Sequence, residues 1–345
     1  MTPPRIRVLV VDDSAFARKV LSESLRVNPL VQVIGTARDG LEALEKIAAL
    51  KPDVVTLDLV MPNLDGIGVL RALDPLRGPR VVVVSISDQN SDLGLEALQA
   101  GAIDIVHKPT ALATDRLFEL STELGTKVVA AATAGRARLS TSSSPATVHP
   151  ANRAPAGAIR LVVIGTSTGG PQALSRLIPA FRADFPTPIV VALHIPAGYT
   201  EALARRLHEN SPLEVVEAGD ETELRPGLVV IARGGSHLTI ANRRGKHVAR
   251  THDAPVTSLY SPSVDRLFES AATEYRNGVL GVVLTGMGDD GLVGSRAIRA
   301  AGGSVITESE STSVVYGMPR AVRDAGLAVA EAPLHEMAKE IASRV

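Results

Sequence analysis

A chain of 345 residues is long enough for two domains of ordinary size. Its 36 Lys+Arg balance 37 Asp+Glu for a formal net charge of -1, which argues against a broad nucleic-acid footprint, and the lack of cysteine excludes disulfides and thiolate metal sites. No apolar run reaches the roughly 20 residues of a membrane span, and Met1–Val11 runs into an acidic strand end rather than a cleavage site, so a cytoplasmic protein without membrane insertion is expected.

The first part alternates apolar runs with amphipathic segments. Strands are expected at Val8–Val11, Val31–Ala37, Asp53–Leu57, Val81–Ser85 and Ile103–Val106. Helices are expected at Ala15–Leu25, Gly40–Leu50, Gly66–Leu73, Leu93–Ala100 and Asp115–Ala130. Five β-α units with nearly continuous apolar strands indicate a doubly wound parallel sheet over residues 1–130. Residues 131–158 are rich in Ser, Thr, Ala, Pro and Gly and contain no acid, which reads as a flexible tether.

The second part, 159–345, again alternates. Strands are expected at Ile159–Gly165, Ile189–His194, Leu228–Ala232, Val279–Thr285, Ser304–Thr307 and Leu327–Val329, and helices at Gln172–Ala180, Thr200–His208, Ser263–Glu274 and Asp290–Ala301. A second, mostly parallel doubly wound α/β domain follows, with Glu214–Arg250 reading as antiparallel strands and turns.

In the first domain Asp12 and Asp13 fall at the carboxyl end of the first strand and Asp58 at the end of the third. Such ends share the crevice of an open α/β sheet. Three carboxylates converging there repel unless a hard dication lies between them, and Mg²⁺ suits that donor set. Ser85 and Lys108 end the fourth and fifth strands, where a hydroxyl and an ammonium can meet phosphoryl oxygens.

In the second domain Gly165-Thr166-Ser167-Thr168-Gly169-Gly170 joins an apolar strand to a helix, the setting in which G-x-S-x-G presents a serine nucleophile. A phosphate-cradling turn is the alternative reading, although the spacing and lysine of a P-loop are missing. His194 ends the next apolar strand, and Asp290 follows a third strand through the turn Leu284–Gly291. Ser167, His194 and Asp290 therefore combine as nucleophile, base and orienting acid. Met287 is a candidate backbone oxyanion donor, with simple packing as its other reading. Asp289 and Asp290 are also candidate helix caps. The remaining histidines show no zinc-binding spacing, so no zinc is expected. The order serine, histidine, acid departs from that of α/β-hydrolases.

Val10-Val11-Asp12-Asp13-Ser14, Thr56 to Gly66 and Lys108-Pro109 resemble the signatures of two-component receiver domains. That resemblance implies Asp58 as phosphoacceptor, the Val60 carbonyl beside Asp12, Asp13 and Asp58 as Mg²⁺ ligands, and Ser85 and Lys108 as phosphoryl sensors. Ile105 stands where many receivers carry an aromatic switch. The runs Ile164–Leu174, His194–Thr200, Ser261–Asp265 and Leu284–Gly291 resemble the CheB family of chemotaxis protein-glutamate methylesterases.

The family resemblance implies hydrolysis of glutamate methyl esters on chemoreceptors with release of methanol, and deamidation of receptor glutamines. Ser167 is then nucleophile, His194 general base and acid, Asp290 orienting acid and Met287 an oxyanion-hole amide. It also implies repression by the unphosphorylated receiver, relieved by the chemotaxis histidine kinase CheA. No cofactor is implied for the esterase. Departures from the family pattern are Thr166, Arg233 and Ala254–Tyr260, which lacks the usual polar His-Arg pattern before Pro262-Ser263-Val264-Asp265. A non-catalytic response regulator and a DNA-binding one are the rival readings. The intact Ser-His-Asp set disfavours the first, and the lack of a basic helix-turn-helix the second.

Overall fold

The structure, a computed structural model, describes residues 4–74, 77–85, 91–108, 114–134, 159–254 and 260–345. It divides into two compact units, Met1–Ala134 and Gly135–Val345.

In the first unit strands β1 (Ile6–Val11), β2 (Val31–Ala37), β3 (Val54–Leu57), β4 (Arg80–Ser85) and β5 (Asp104–His107) alternate with helices α1 (Ala15–Arg26), α2 (Gly40–Leu50), α3 (Gly66–Ala72), α4 (Ser91–Gln99) and α5 (Thr114–Thr133). All strand pairs are parallel, in the order β2-β1-β3-β4-β5. Continuous apolar runs suit this arrangement, because helices on both faces leave a parallel strand no wet side. Val8–Val10, Val54, Val55 and Val82–Val84 are accordingly inaccessible to solvent. Ser14, Asp39 and Asp65 cap α1, α2 and α3 by accepting backbone N–H bonds from Ala17, Glu42 and Gly68, each stabilising by about 1 kcal/mol. Helix α5 runs three residues beyond the expected end at Ala130. The rest of the tether read from the sequence, 135–158, lies outside the described residues.

In the second unit β6 (Leu161–Thr166), α6 (Gly170–Leu177), β7 (Ile189–Leu193), α7 (Tyr199–Glu209), β8 (Glu214–Glu217), β9 (Glu221–Glu223) and β10 (Leu228–Ile231) are followed by the hairpin β11 (Ser236–Arg243) and β12 (Lys246–Asp253). Then come α8 (Val264–Tyr275), β13 (Val279–Val283), α9 (Leu292–Ala300), β14 (Ser304–Glu308), α10 (Met318–Asp324), β15 (Ala330–Ala332) and α11 (Leu334–Ala342). Seven strands form a parallel sheet in the order β15-β14-β13-β6-β7-β10-β8.

The stretch expected to be antiparallel is divided. Strand β8 joins the parallel sheet beside β10, while β9, β11 and β12 form a separate antiparallel sheet. The β11–β12 turn uses Arg244 and Gly245, both at positive φ (53° and 84°), as a two-residue hairpin requires. The strand expected at Leu327–Val329 begins instead at Ala330. Pairing with the edge of β14, Ile306 opposite Ala330, decides it rather than local β-propensity. Helices α10 and α11 were not anticipated, although Leu334, Met337, Ala338 and Ile341 bury one face of α11 at helical spacing. Among the described residues no helix is long and apolar enough to cross a membrane.

Candidate functional site

In the first unit the register pairs Val11 with Leu57, so Asp12 and Asp58 leave adjacent strands side by side. Ser85 pairs with His107, and the Lys108 N–H donates to the Ser85 carbonyl at 2.8 Å. Carboxylate oxygens of Asp12, Asp13 and Asp58 lie within 4.8 Å of one another. Lys108 Nζ bridges the two buried acids, 2.6 Å from Asp12 Oδ2 and 2.9 Å from Asp58 Oδ2. Asp58 Oδ1 accepts the Leu59 and Val60 N–H groups, at 2.7 and 3.4 Å. Burial pushes the Asp12 carboxyl above its ordinary range, with the negative Asp58 adding to it, and Lys108 opposes the shift. The Lys108 ammonium is held in its charged form by these two acids against the cost of burial. Ser85 Oγ is buried without a hydrogen-bond partner among the described residues. Three hard oxygen donors beside an unpartnered buried hydroxyl fit Mg²⁺ and a phosphoryl group. Ile105 is fully buried, as a packed core residue.

In the second unit the site sits at the carboxyl ends of β13, β6 and β7. The parallel register pairs Thr166 with Leu193 and Gly165 with Val283. Ser167 and His194 are therefore the next residues out of neighbouring strands, and the His194 N–H donates to the Thr166 carbonyl at 3.1 Å. On the other side Ser167 N–H donates to the Thr285 carbonyl at 3.0 Å, and the Thr166 hydroxyl, buried, donates to the same oxygen at 2.7 Å. The positive φ of the turn falls on Gly169 (81°), not on Ser167, so the serine is free of the backbone strain of an α/β-hydrolase elbow. The Ser167 N–H is spent on Thr285, and the Gly170 N–H on the Ser167 carbonyl at 2.7 Å. Those two amides are turned away from any anion, which counts against the phosphate-cradle reading.

His194 Nε2 lies 2.8 Å from Asp290 Oδ2. An ionised carboxylate only accepts, so Nε2 carries the proton and Nδ1 is the bare nitrogen of the neutral ring. Nδ1 is buried and has no partner among the described residues, which leaves it open to accept a proton. No hydrogen bond joins it to Ser167 Oγ in this structure; such bonds commonly tighten with substrate.

Asp290 is held by more than His194. It accepts from Ser263 Oγ at 3.2 Å, Val264 N–H at 2.7 Å and Asp265 N–H at 2.9 Å, and so caps α8 from outside that helix. Burial opposes its ionisation, but the His194 bond and these amides outweigh it and hold its carboxyl below the ordinary range. Asp265 returns the arrangement: its Oδ1 accepts from Gly291 and Gly294 at the start of α9, at 2.9 and 2.7 Å. Each helix is capped by an acid from the other's first turn or approach. Burial, with Asp290 and Glu269 nearby, pushes Asp265 up to about 6. The Met287 N–H makes no hydrogen bond to any described residue and is free to donate. Gly286 must be glycine, because a Cβ there would lie 2.3 Å from Met318 Sδ and 2.9 Å from Ser167 Cβ.

A model of the CheB methylesterase domain matches residues 162–341, and one of the response regulator receiver domain matches residues 8–120. The chain belongs to the CheB methylesterase family. A protein-glutamate methylesterase/protein-glutamine glutaminase of Myxococcus xanthus is 59% identical over 96% of each chain. A protein of the same name from Symbiobacterium thermophilum is 43% identical over 99% of this chain and 97% of its own. The crystal structure of the Thermotoga maritima CheB methylesterase catalytic domain matches with a TM-score of 0.53 and 40% identity, covering 54% of this chain and 99% of that one.

Within this CheB site the structure adds residues that the sequence left unassigned. Asp265 and Ser263 hold the acid, and their motif was legible only as a family signature. The Tyr260 ring stacks on His194. Glu308, fully buried at the end of β14, accepts the Thr285 N–H at 2.8 Å. Its position after an apolar strand, like those of Ser167 and His194, was the available signal.

Proposed function

We propose that this chain is a phosphorylation-activated serine hydrolase acting on glutamate methyl esters of chemoreceptors and deamidating specific receptor glutamines, in sensory adaptation. The observation that carries this reading is the convergence of Ser167, His194 and Asp290 at the ends of adjoining strands, with His194 Nε2 committed to Asp290 and Nδ1 left open. Ser167 Oγ attacks the ester carbonyl carbon and passes its proton to His194 Nδ1. The tetrahedral intermediate carries its charge on the former carbonyl oxygen, which the Met287 N–H meets. Collapse breaks the carbon–oxygen bond, and the imidazolium returns the proton to the leaving methoxide, releasing methanol. Water, deprotonated by Nδ1, then cleaves the glutamyl ester of Ser167 and restores the serine. With a glutamine substrate the first leaving group is ammonia.

The receiver supplies the switch. Asp58 accepts a phosphoryl group from the histidine kinase CheA, and Ser85 and Lys108 bind the phosphoryl oxygens. Mg²⁺, held by Asp12, Asp13, Asp58 and the Val60 carbonyl, supplies charge neutralisation there when bound. Phosphorylation biases a two-state arrangement of receiver and catalytic unit, joined by the tether, in the cytoplasm. The near-neutral charge supports protein rather than nucleic-acid partners.

The test is methanol release from methylated receptor membranes, with and without a small phosphodonor and Mg²⁺. Release should fall by several orders of magnitude in Ser167→Ala and lose its phosphodonor response in Asp58→Ala. Release that survives Ser167→Ala would overturn the mechanism. A 155–345 fragment no faster than the unphosphorylated full chain would overturn the gating.

A further inference from the structure

We infer that Tyr260 is a positioning residue for His194, whose ring face holds the imidazole plane and stabilises the imidazolium formed when Nδ1 takes the serine proton. The inference rests on the proposed serine mechanism. The two rings are stacked with centroids 4.4 Å apart and planes 4° from parallel. That is a parallel, offset stack, not edge contact. Asp290 fixes one edge of the imidazole through Nε2. A single hydrogen bond still allows the ring to rock about the Nε2–Asp290 direction, and the tyrosine face removes that freedom. Nδ1 is then aimed by two restraints rather than one.

The same face acts on charge. A cation within about 6 Å of an aromatic centroid is attracted by the ring quadrupole. Neutral imidazole gains little from this, and imidazolium gains more. The contact therefore strengthens as the proton moves, which is the property that lowers a barrier. Asp290 works in the same direction from the ring's edge, so the imidazolium is met both in its plane and on its face.

The phenol hydroxyl is not what anchors Tyr260. It makes no hydrogen bond to any described residue, and it passes over Gly288, where an added Cβ would lie 2.8 Å from it. Burial and the negative Asp290 and Asp289 keep the phenol protonated, so it brings no charge of its own. The ring face is the working part, and phenylalanine should replace it. Tyr260 closes the stretch that departs from the family's polar pattern, so this departure bears on the base and not only on receptor choice.

The experiment uses the full chain, phosphorylated, with a helical peptide bearing a glutamate γ-methyl ester as substrate. It compares Tyr260→Phe, Tyr260→Leu and, at the same position, phenylalanines carrying one to three fluorines, with Ser167→Ala alongside. Leucine keeps an apolar cover without a π face. Phenylalanine should retain kcat within about twofold, whereas leucine should lower kcat about tenfold with KM unchanged. Stepwise fluorination, which drains the ring face at nearly constant shape, should lower kcat stepwise.

The titration midpoint of His194, followed by NMR of histidine-labelled protein, supplies a readout independent of turnover. It should fall in Tyr260→Leu by about half a pH unit and hold in Tyr260→Phe. Asp290, Asp289, Asp265, His237 and Arg266, the other titrating or charged groups about the triad, are the same in every variant. An unchanged kcat and His194 midpoint in Tyr260→Leu, with Ser167→Ala inactive, would overturn this inference and leave the serine mechanism standing. Turnover persisting in Ser167→Ala would instead overturn the mechanism, and the NMR midpoints would then decide the stack alone.

Discussion

Replacing Glu308 with glutamine is expected to stabilise the catalytic unit above neutral pH. Glu308 has no solvent exposure and accepts from Thr285 N–H at 2.8 Å and Thr312 Oγ1 at 2.9 Å. Burial pushes its carboxyl from 4.5 up to about 7, against those two hydrogen bonds and the field of Arg176. An acid raised in the fold keeps its proton where the unfolded chain has already released it. Stability is therefore full below 4.5, falls as pH rises towards 7, and stays reduced above that. The gap corresponds to about 3 kcal/mol. Glutamine keeps an acceptor for Thr285 and offers N–H groups to Thr312 with no charge to desolvate. The variant should exceed the parent by under about 1 kcal/mol at pH 5 and by about 2–3 kcal/mol at pH 8.5. Urea unfolding of the full chain, followed by circular dichroism and by loss of methylesterase activity, separates the catalytic unit's transition from the receiver's. A parent whose stability is flat across this range, or a weaker glutamine variant at pH 8.5, would show that Glu308 is ionised and satisfied in the fold, and the reasoning would fail.

Three further outcomes follow from the same geometry. Asp265→Ala strips the acceptor from the start of α9 and should cost about 1–2 kcal/mol of thermal stability. It should also lower kcat through a misplaced Asp290, while Asp265→Asn restores most of both; equal losses in the two variants would refute the capping role. Gly286→Ala drives a Cβ against Ser167 and Met318 and should lower kcat by at least about 100-fold while the chain stays folded, a result checked by methanol release beside circular dichroism. Lys108→Ala leaves Asp12 and Asp58 facing each other without a cation. Its receiver should melt lower in chelator and gain more from added Mg²⁺ than the parent does, as scanning calorimetry would show; an identical Mg²⁺ response would count against a shared cation site.

Much of this protein is written in local signals. Strands such as Val81–Ser85 and Ile189–Leu193 and helices such as Gly40–Leu50 follow from apolar runs and periodicity alone, because both faces of a parallel sheet's inner strands are dry. Ser167, His194, Asp12, Asp58 and Lys108 were legible for the same reason: a polar residue that ends such a run must lie at the carboxyl edge of the sheet. Strand β8, with only Val215 fully buried among glutamates, and β15, Ala330-Glu331-Ala332, carry no such signal. Their places come from edge pairing with β10 and β14. Tertiary structure alone decided which nitrogen of His194 is free, because that depends on where Asp290 arrives from β13. It alone brought Asp265 and Asp290 to cap each other's helices, Glu308 beneath Thr285 and Tyr260 onto the imidazole. Each of these contacts joins residues 23 to 96 positions apart or ends a loop with no period of its own. Periodicity encodes which side of an element is buried; it does not encode what another element presents to that side.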